Sequence, residues 1–427
     1  MRLFIALPRS SRLVAAALVL CLALPVVAAA PAAVAGEAPE LARARAFLAK
    51  ATLFDGHNDL PWAMREDKNA AGMPAKYELR GRAPGQTDIP RLRAGGVQAQ
   101  FWSVYVPGER REASFARMQL EQIAIAREMI RLHGDVFTLA GTAAEVRSAR
   151  RAGKIPGMLG IEGGHSIENS LPLLRTYYDL GVRYMTLTHN VHLDWADAAA
   201  MVPPRVGGLS PFGEAVVREM NRLGMVVDLA HTAPETMAAA LKVTRSPVMF
   251  SHAGARGVCN VPRNVPDDIL RQLPANGGVV MVTFVAGFVD CDVAKVMQPA
   301  MMRMNIALRE ARTDAERAAA RAEFDAVKIP VPSISKVADH IDHIRRVAGI
   351  DHLGLGGDYD GNDAWPEGLT DVSMYPNLFA ELIRRGWTER DLAKLAGENI
   401  LRVLEVNERN ARRLQAAEPA PGLALKP

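Results

Sequence analysis

The chain has 427 residues, of which 49% are hydrophobic and 23% charged, a composition typical of a globular protein. Its formal net charge is +4, but three basic and no acidic residues lie in the first 35 positions, so the remainder is almost neutral. The charge therefore gives no argument for a nucleic acid or an anionic membrane as a partner.

The first 35 residues have the pattern of a cleaved secretory signal peptide. Arg2, Arg9 and Arg12 precede an apolar stretch over residues 13–30, and Ala33-Val-Ala35 then supplies the small residues of a cleavage site. A membrane anchor is the alternative, but the Ala-x-Ala pattern favours cleavage. We therefore expect the mature protein to be exported, either to a periplasm or to the medium.

The next 378 positions, residues 36–413, alternate between strand and helix patterns. Most of the strand patterns are continuous apolar runs, which suit parallel strands that are covered on both faces. Eight repeats of this kind predict an α/β fold, a (β/α)₈ TIM barrel. A doubly wound open sheet is the alternative, but it usually has a glycine-rich first turn, whereas His57-Asn-Asp59 stands here. The predicted strands are Thr52–Asp59, Val97–Val106, Ile155–Gly163, Val182–His189, Met225–His231, Pro247–Ser251, Gly278–Val285 and His352–Asp358.

Two segments fall outside this alternation. Residues 292–332, after the seventh predicted strand, are rich in Ala, Arg and Glu and predict a solvated helical insertion, whose methionines we interpret as packing residues. Residues 414–427 predict a disordered tail. The tail lacks the long apolar run of a lipid-anchor signal, so no stable membrane anchor is expected.

The first and third predicted strands end in candidate metal ligands. His57 and Asp59 are two residues apart, and alternate residues of a strand project from the same face, so both can reach the mouth of a barrel. Glu162 ends an apolar strand and precedes two glycines. Its two oxygens could bridge two cations about 3.5–4 Å apart, the separation that two-metal hydrolases use.

Three more candidate histidines lie at or directly after a strand end. His231 ends one predicted strand and His252 directly follows the next, so each could supply an imidazole to a metal. His189 would be one ligand too many for a compact pair of ions. A substrate role suits it better, either polarising a carbonyl or stabilising an oxyanion. The pattern as a whole indicates a two-zinc hydrolase.

The eighth strand ends in two carboxylates, and its spacing does not choose between them. Asp358 and Asp360 share a face, and either could take the proton of a metal-bound water and pass it to a leaving amine. Only Cys259 and Cys291 would remain after signal cleavage. An exported protein permits a disulfide between them, although two buried free thiols are the alternative.

Seven segments of this chain together resemble the membrane (renal-type) dipeptidase family, and the similarity runs from about Asp55 to Val403. Since the motifs occur in the family's order over nearly all of the predicted mature chain, the resemblance is specific. The segments are Asp55–Pro61, Glu162–Ser166, Leu187–Asn190, Asp228–His231, Phe250–His252, Arg263–Asp268 and Gly356–Gly361.

The resemblance implies a zinc-dependent TIM barrel that hydrolyses dipeptides with a hydroxide held between two zinc ions. It assigns His57, Asp59 and Glu162 to one zinc. It assigns Glu162, His231 and His252 to the other, so that Glu162 bridges the pair.

The resemblance also implies roles in substrate binding. His189 would contact the substrate carbonyl or its tetrahedral form, and Arg263 would pair with the free C-terminal carboxylate. Asp358, rather than Asp360, would carry the proton and contact the substrate amino group. One departure from the pattern is Phe288, which stands where some relatives carry a tyrosine, so this chain lacks that hydroxyl.

The family pattern further implies a disulfide between Cys259 and Cys291, and a homodimer is compatible with it. Two other functions are kept as alternatives. A related two-metal barrel could act on another amide or a lactone, including β-lactams, and would not need Arg263. A catalytically silent scaffold should have lost a ligand or Asp358, and none is lost in this sequence.

Overall fold

The structure is a computed structural model that describes residues 38–109 and 114–420. The predicted signal peptide, residues 1–35, lies outside the described residues. Within them, the strands are β1 Leu53–Asn58, β2 Val97–Ser103, β3 Phe137–Leu139, β4 Ile155–Glu162, β5 Val182–Thr186, β6 Val226–Asp228, β7 Met249–Ala253, β8 Val279–Val282 and β9 Leu353–Leu355.

Eight of these strands close into a parallel barrel. They follow the order β2-β1-β9-β8-β7-β6-β5-β4, and β2 then pairs with β4, from Gln100 beside Gly157 to Ser103 beside Gly160. The predicted TIM barrel is therefore confirmed. Strand β3 was not predicted, because three residues are too few to show a pattern, and it pairs only with the first three residues of β4.

The helices begin at the residues that local chemistry favours. Ser114, Thr142, Ser170 and Ser210 each accept a hydrogen bond from a backbone N–H of the first turn of the helix that follows. The helices are α1 Pro39–Leu48, α2 Leu60–Glu66, α3 Ile89–Ala94, α4 Phe115–Leu132, α5 Ala143–Arg151, α6 Leu171–Asp179, α7 Pro211–Leu223, α8 Pro234–Val243, α9 Asp267–Leu270, α10 Leu273–Asn276, α11 Ala286–Val289, α12 Cys291–Glu310, α13 Asp314–Asp325, α14 Ile334–Val347, α15 Tyr375–Arg384, α16 Glu389–Ala393 and α17 Asn399–Ala417.

The start of the predicted disordered tail, residues 414–427, is instead helical. Helix α17 continues to Ala417, and Gln415 in its last turn donates to the backbone oxygen of Arg222. Residues 421–427 lie outside the described residues. No helix in the described ranges has both the length and the apolar character needed to cross a lipid bilayer.

Apolar side chains fill both faces of the strands, which explains why the strands read as continuous apolar runs. The larger core lies between the strands and the surrounding helices. A second cluster fills the barrel and its lower end. Its largest strand residues are Phe54, Phe101, Met158, Tyr184, Met249 and Met281.

Helices α12 and α13 occupy the predicted insertion, residues 292–332, and form a hairpin beside the barrel mouth. Helix α13 begins with a capping box, in which Thr313 and Glu316 satisfy each other's backbone N–H groups. A small apolar cluster, which includes Phe288 and Met297, attaches the hairpin to the barrel. A disulfide between Cys259 and Cys291 fixes the start of α12 to the segment after β7.

Candidate metal centre and substrate cavity

The predicted ligands come together at one rim of the barrel. His57 and Glu162 lie at the carboxyl ends of β1 and β4, His252 lies in β7, and His231 and Asp358 directly follow β6 and β9. The last two have positive φ angles of 62° and 66°. Such backbone costs of order 1–3 kcal/mol in a residue other than glycine and is concentrated at functional sites.

Glu162 lies between two groups of ligand atoms. Its Oε1 is 3.0 Å from Nε2 of His231 and 3.4 Å from Nε2 of His252. Its Oε2 is 3.5 Å from Nε2 of His57, which in turn is 3.1 Å from Oδ2 of Asp59. Tetrahedral zinc with bonds of about 2.0–2.2 Å separates its ligand atoms by roughly 3.3–3.6 Å. The two carboxylate oxygens thus face different groups of ligand atoms at spacings close to those around a metal ion.

The residues present fit a metal centre. All five predicted ligands are buried, and Oδ1 of Asp59 has no hydrogen-bond partner among the described residues. Three overlapping groups each bring their ligand atoms within 4.8 Å of one another. They are His57 with Glu162 and His252; Glu162 with His189 and His231; and His57 with Asp59 and Asp358. These groups overlap without reproducing the division of ligands that the family pattern implies.

The electrostatics of the five predicted ligands, which we call the ligand ring, also favour bound cations. Burial lowers the pKa of His231 and of His252 well below its usual value, so both are in the neutral form that binds metals. Burial would also lower the pKa of His57, but Tyr184, Asp59 and Glu162 raise it well above its usual value. The same acidic groups that favour a proton on His57 would favour a metal cation in its place.

Asp228 holds His252 in place through a serine. Its carboxylate accepts hydrogen bonds from the Ser251 backbone N–H at 2.8 Å, the Ser251 hydroxyl at 2.6 Å and the Thr186 hydroxyl at 2.5 Å. The Ser251 Oγ is also 2.9 Å from Nδ1 of His252. Three strands are thereby joined beneath one imidazole, which fixes the direction of its other nitrogen.

Asp55 plays the corresponding part on the opposite side. It accepts hydrogen bonds from the backbone N–H groups of His57, at 2.9 Å, and Gly357, at 2.8 Å, and from the Tyr375 hydroxyl. The Tyr184 hydroxyl is 2.8 Å from Nδ1 of His57. Asp55 and Asp228 lie in the motifs, but no role could be assigned to them from the sequence, because most of their partners come from distant segments of the chain.

The structure places Asp358, and not Asp360, beside the ligands. Oδ1 of Asp358 is 3.8 Å from Nε2 of His57, and burial raises the pKa of Asp358 well above its usual value. Asp360 instead accepts a hydrogen bond from the backbone N–H of Gln86 at 2.7 Å. Burial raises the pKa of Asp360 to about 6. The two carboxylates between which strand spacing did not choose thus have different neighbours, and the role of Asp358 as proton carrier stays a prediction.

His189 stands next to the ligand ring with one nitrogen spare. Its Nε2 is 3.7 Å from Oε1 of Glu162, and its ring centroid is 4.3 Å from that of His231 and 5.0 Å from that of Tyr105. Its Nδ1 is buried and has no hydrogen-bond partner within the described ranges. The imidazole can therefore still contact a bound molecule.

Arg263 is a buried cation whose hydrogen bonds are unmade. Its side chain is buried, and none of its three guanidinium nitrogens has a hydrogen-bond partner in the part of the chain that the structure describes. The guanidinium carbon lies 5.2 Å from the centre of the Phe288 ring. Burial lowers the pKa of Arg263 to about 10, so the group stays charged at neutral pH. Asp358, Glu162 and Asp228 attract this charge, but buried N–H groups without hydrogen bonds are costly, which indicates an anionic acceptor from outside the chain.

One cavity of about 940 Å³ connects these groups. Asp59, Glu162 and His231 of the predicted ligands line it together with Arg263 and Asp358, and residues of α12 and α13 form its outer wall. Trp62 and Tyr105 also line it. The role of these two aromatic residues could not be predicted, because nothing in their local sequence pattern distinguishes a cavity wall from a core.

Comparison with known proteins agrees with this picture. A model of the family described as membrane dipeptidase (peptidase family M19) matches residues 41–418. Mouse Dipeptidase 3 is 40% identical over 355 residues, which cover 82% of this chain and 63% of the mouse protein. The match thus spans less than two thirds of that relative's length.

Solved structures share the fold. The probable dipeptidase PvdM from Pseudomonas aeruginosa superposes with a TM-score of 0.75 at 21% identity, covering 87% of this chain and 99% of PvdM. A metallopeptidase from Rhodobacter sphaeroides, liganded with a phosphinate mimic of the dipeptide L-Ala-D-Ala, gives a TM-score of 0.68 at 25% identity. That match covers 84% of this chain and 99% of the other.

Proposed function

Since this chain belongs to the membrane dipeptidase family, we propose that it is a metallopeptidase that hydrolyses the peptide bond of dipeptides with two zinc ions. The observation that carries the proposal is the unpaired guanidinium of Arg263 beside the ligand ring. A free dipeptide offers the carboxylate that this group lacks. An internal peptide bond of a longer chain does not bring one so close.

The proposed zinc ligands are His57, Asp59 and Glu162 for one ion, and Glu162, His231 and His252 for the other. The separate directions of the two Glu162 oxygens support its role as the bridge. Zinc, when bound, supplies Lewis acidity that lowers the pKa of a coordinated water to near neutrality.

The remaining residues would bind the substrate and move the proton. Arg263 would hold the C-terminal carboxylate through a two-pronged hydrogen bond, for which a guanidinium is suited. The spare nitrogen of His189 would stabilise negative charge as it develops on the carbonyl oxygen. Asp358 would accept the proton of the attacking water, pass it to the departing nitrogen, and contact the substrate ammonium group.

The direct test compares a dipeptide with its C-terminal amide and with the tripeptide extended at the C-terminus. We expect the zinc-loaded protein to cleave the dipeptide at least about 30-fold more efficiently, because leaving a buried charge unpaired costs about 2–5 kcal/mol. Equal turnover of all three would rule out that Arg263 restricts the substrates to two residues. Turnover of β-lactams or lactones without dipeptides would favour the alternative hydrolase.

We also propose that the mature protein is exported. Support comes from the charged and then apolar pattern of residues 1–35 and from the Cys259–Cys291 disulfide, since disulfides persist in oxidising compartments. Amino-terminal sequencing of the secreted or periplasmic protein would test the cleavage site. The homodimer and the absence of a membrane anchor stay predictions.

A further inference from the structure

The outer wall of the cavity is built from residues of both hairpin helices. Those of α13 and most of those of α12 recur at the three- and four-residue spacing that keeps them on one face of a helix, and Gln298, Pro299 and Met302 widen the α12 part. On α12 they include Met297, Met301, Met304, Asn305 and Leu308, and on α13 they are Asp314, Arg317, Ala318 and Arg321.

Not all methionines of this wall are buried in the packing that attaches the hairpin to the barrel. Met297 is buried in the cluster that attaches the hairpin, which fits the packing role expected from the sequence. Met301 is half-buried against that cluster but also lines the cavity, and Met304 lines the cavity without belonging to the cluster. Met302 also lines the cavity and is 60% exposed. The wall thus presents flexible apolar side chains to the space above the ligand ring.

This apolar surface begins at the proposed carboxylate site. The Phe288 ring lies 5.2 Å from the Arg263 guanidinium carbon and belongs to the same cluster as Met297. If Arg263 holds the substrate carboxylate, the side chain of that residue leaves an atom one bond away from the carboxylate carbon. It therefore starts beside Phe288, from which the wall extends to Met301.

The cavity is large for a dipeptide with small side chains. Its volume of about 940 Å³ lies near the top of the range of roughly 300–1,000 Å³ for pockets that enclose drug-sized ligands. The thioether side chain of methionine is flexible and adapts to differently shaped apolar groups.

We propose that the α12–α13 hairpin is a specificity wall that binds a large apolar side chain on the C-terminal residue of the dipeptide. Substrates ending in methionine, leucine or phenylalanine are then preferred over those ending in glycine. This inference depends on the proposed function, because it takes Arg263 as the site of the carboxylate. It deepens that function by naming the substrate class.

The experiment measures kcat/KM of the zinc-loaded protein for Ala-Met and Ala-Gly and reports their ratio. We expect the ratio to exceed tenfold, since each methylene in an apolar pocket contributes about 1–3 kcal/mol to discrimination. Met301→Gln and Met304→Gln should each lower the ratio several-fold. Two positions are used because Met301 also packs against the attachment cluster, whereas Met304 does not.

Ile306→Gln is the matched control, because Ile306 lies on the same helix, is 37% exposed and is not part of the cavity wall. Its ratio should equal that of the unchanged protein. Equal use of Ala-Met and Ala-Gly would overturn the inference while leaving the dipeptidase function intact. So would a ratio that neither methionine substitution alters. Failure to cleave either dipeptide would overturn both proposals.

Discussion

The barrel rim and the α12–α13 hairpin border the same cavity but are held in different ways. At the rim, side chains such as Asp228 are fully buried and hydrogen-bonded to neighbouring strands. The hairpin is largely exposed, and an apolar cluster and one disulfide attach it to the barrel. This difference agrees with the two proposals, in which the rim carries out the chemistry and the hairpin selects the substrate.

The largest effect should follow from removing the proton carrier at the rim. Asp358→Asn keeps the shape of the side chain but removes its basicity, so kcat should fall about 10²–10⁴-fold. Asp360→Asn is the control: Asp360 also lines the cavity, but one of its oxygens is held by the backbone N–H of Gln86, and kcat of this variant should fall less than about tenfold. Steady-state kinetics at matched zinc content would show this. Equal losses in the two variants would contradict the assignment of the proton carrier.

The next effect concerns the charge at the side of the cavity. Arg263→Met should lower kcat/KM for a dipeptide by roughly 10²–10³-fold, because the substrate carboxylate loses its partner. The same substitution should leave folding stability equal or higher, since a buried charge without a partner opposes folding. Kinetics and thermal unfolding of the substrate-free protein measure the two effects. A marked loss of stability would instead assign Arg263 to the structural framework.

A smaller effect, on zinc affinity, is expected from the residues that hydrogen-bond to the ligands. Asp228→Asn weakens the hydrogen bonds that orient Ser251 and through it His252, so zinc affinity should fall about 10–100-fold. Competition with a chelator measures this affinity independently of turnover. Asp88→Asn, which alters another buried carboxylate away from the ligands, should leave zinc affinity unchanged. The same loss in both variants would argue for a general effect on folding.

The smallest effect compares matching caps on the hairpin and the barrel. Thr313→Ala and Thr142→Ala each remove one N-cap hydrogen bond, a loss of about 1 kcal/mol. In the first variant, we expect faster hydrogen exchange confined to α13, because the hairpin can open locally. In the second variant, we expect the free energy of global unfolding to fall by this amount. A global loss from Thr313→Ala would show that hairpin and barrel unfold together.

The features that could be predicted from the sequence are those that depend on neighbouring residues, and the others depend on contacts between distant segments. Strand ends such as His57-x-Asp59 and Glu162-Gly carry their chemistry in adjacent residues, so the barrel and its candidate ligands could be predicted. The roles of Asp55 and Asp228 could not, because each depends on hydrogen bonds to distant segments. The methionines of α12 showed a helical pattern but no partner, since the position of an insertion over a cavity depends on tertiary contacts.

The central claim is that the rim ligands hold two zinc ions that dipeptide hydrolysis requires. Metal analysis of the purified protein, combined with a dipeptide assay during chelation and zinc readdition, tests it most directly. We predict close to two zinc ions per chain, loss of hydrolysis as they are removed, and recovery as zinc returns. Undiminished hydrolysis by the metal-free protein, or no hydrolysis by the fully zinc-loaded protein, would contradict the claim.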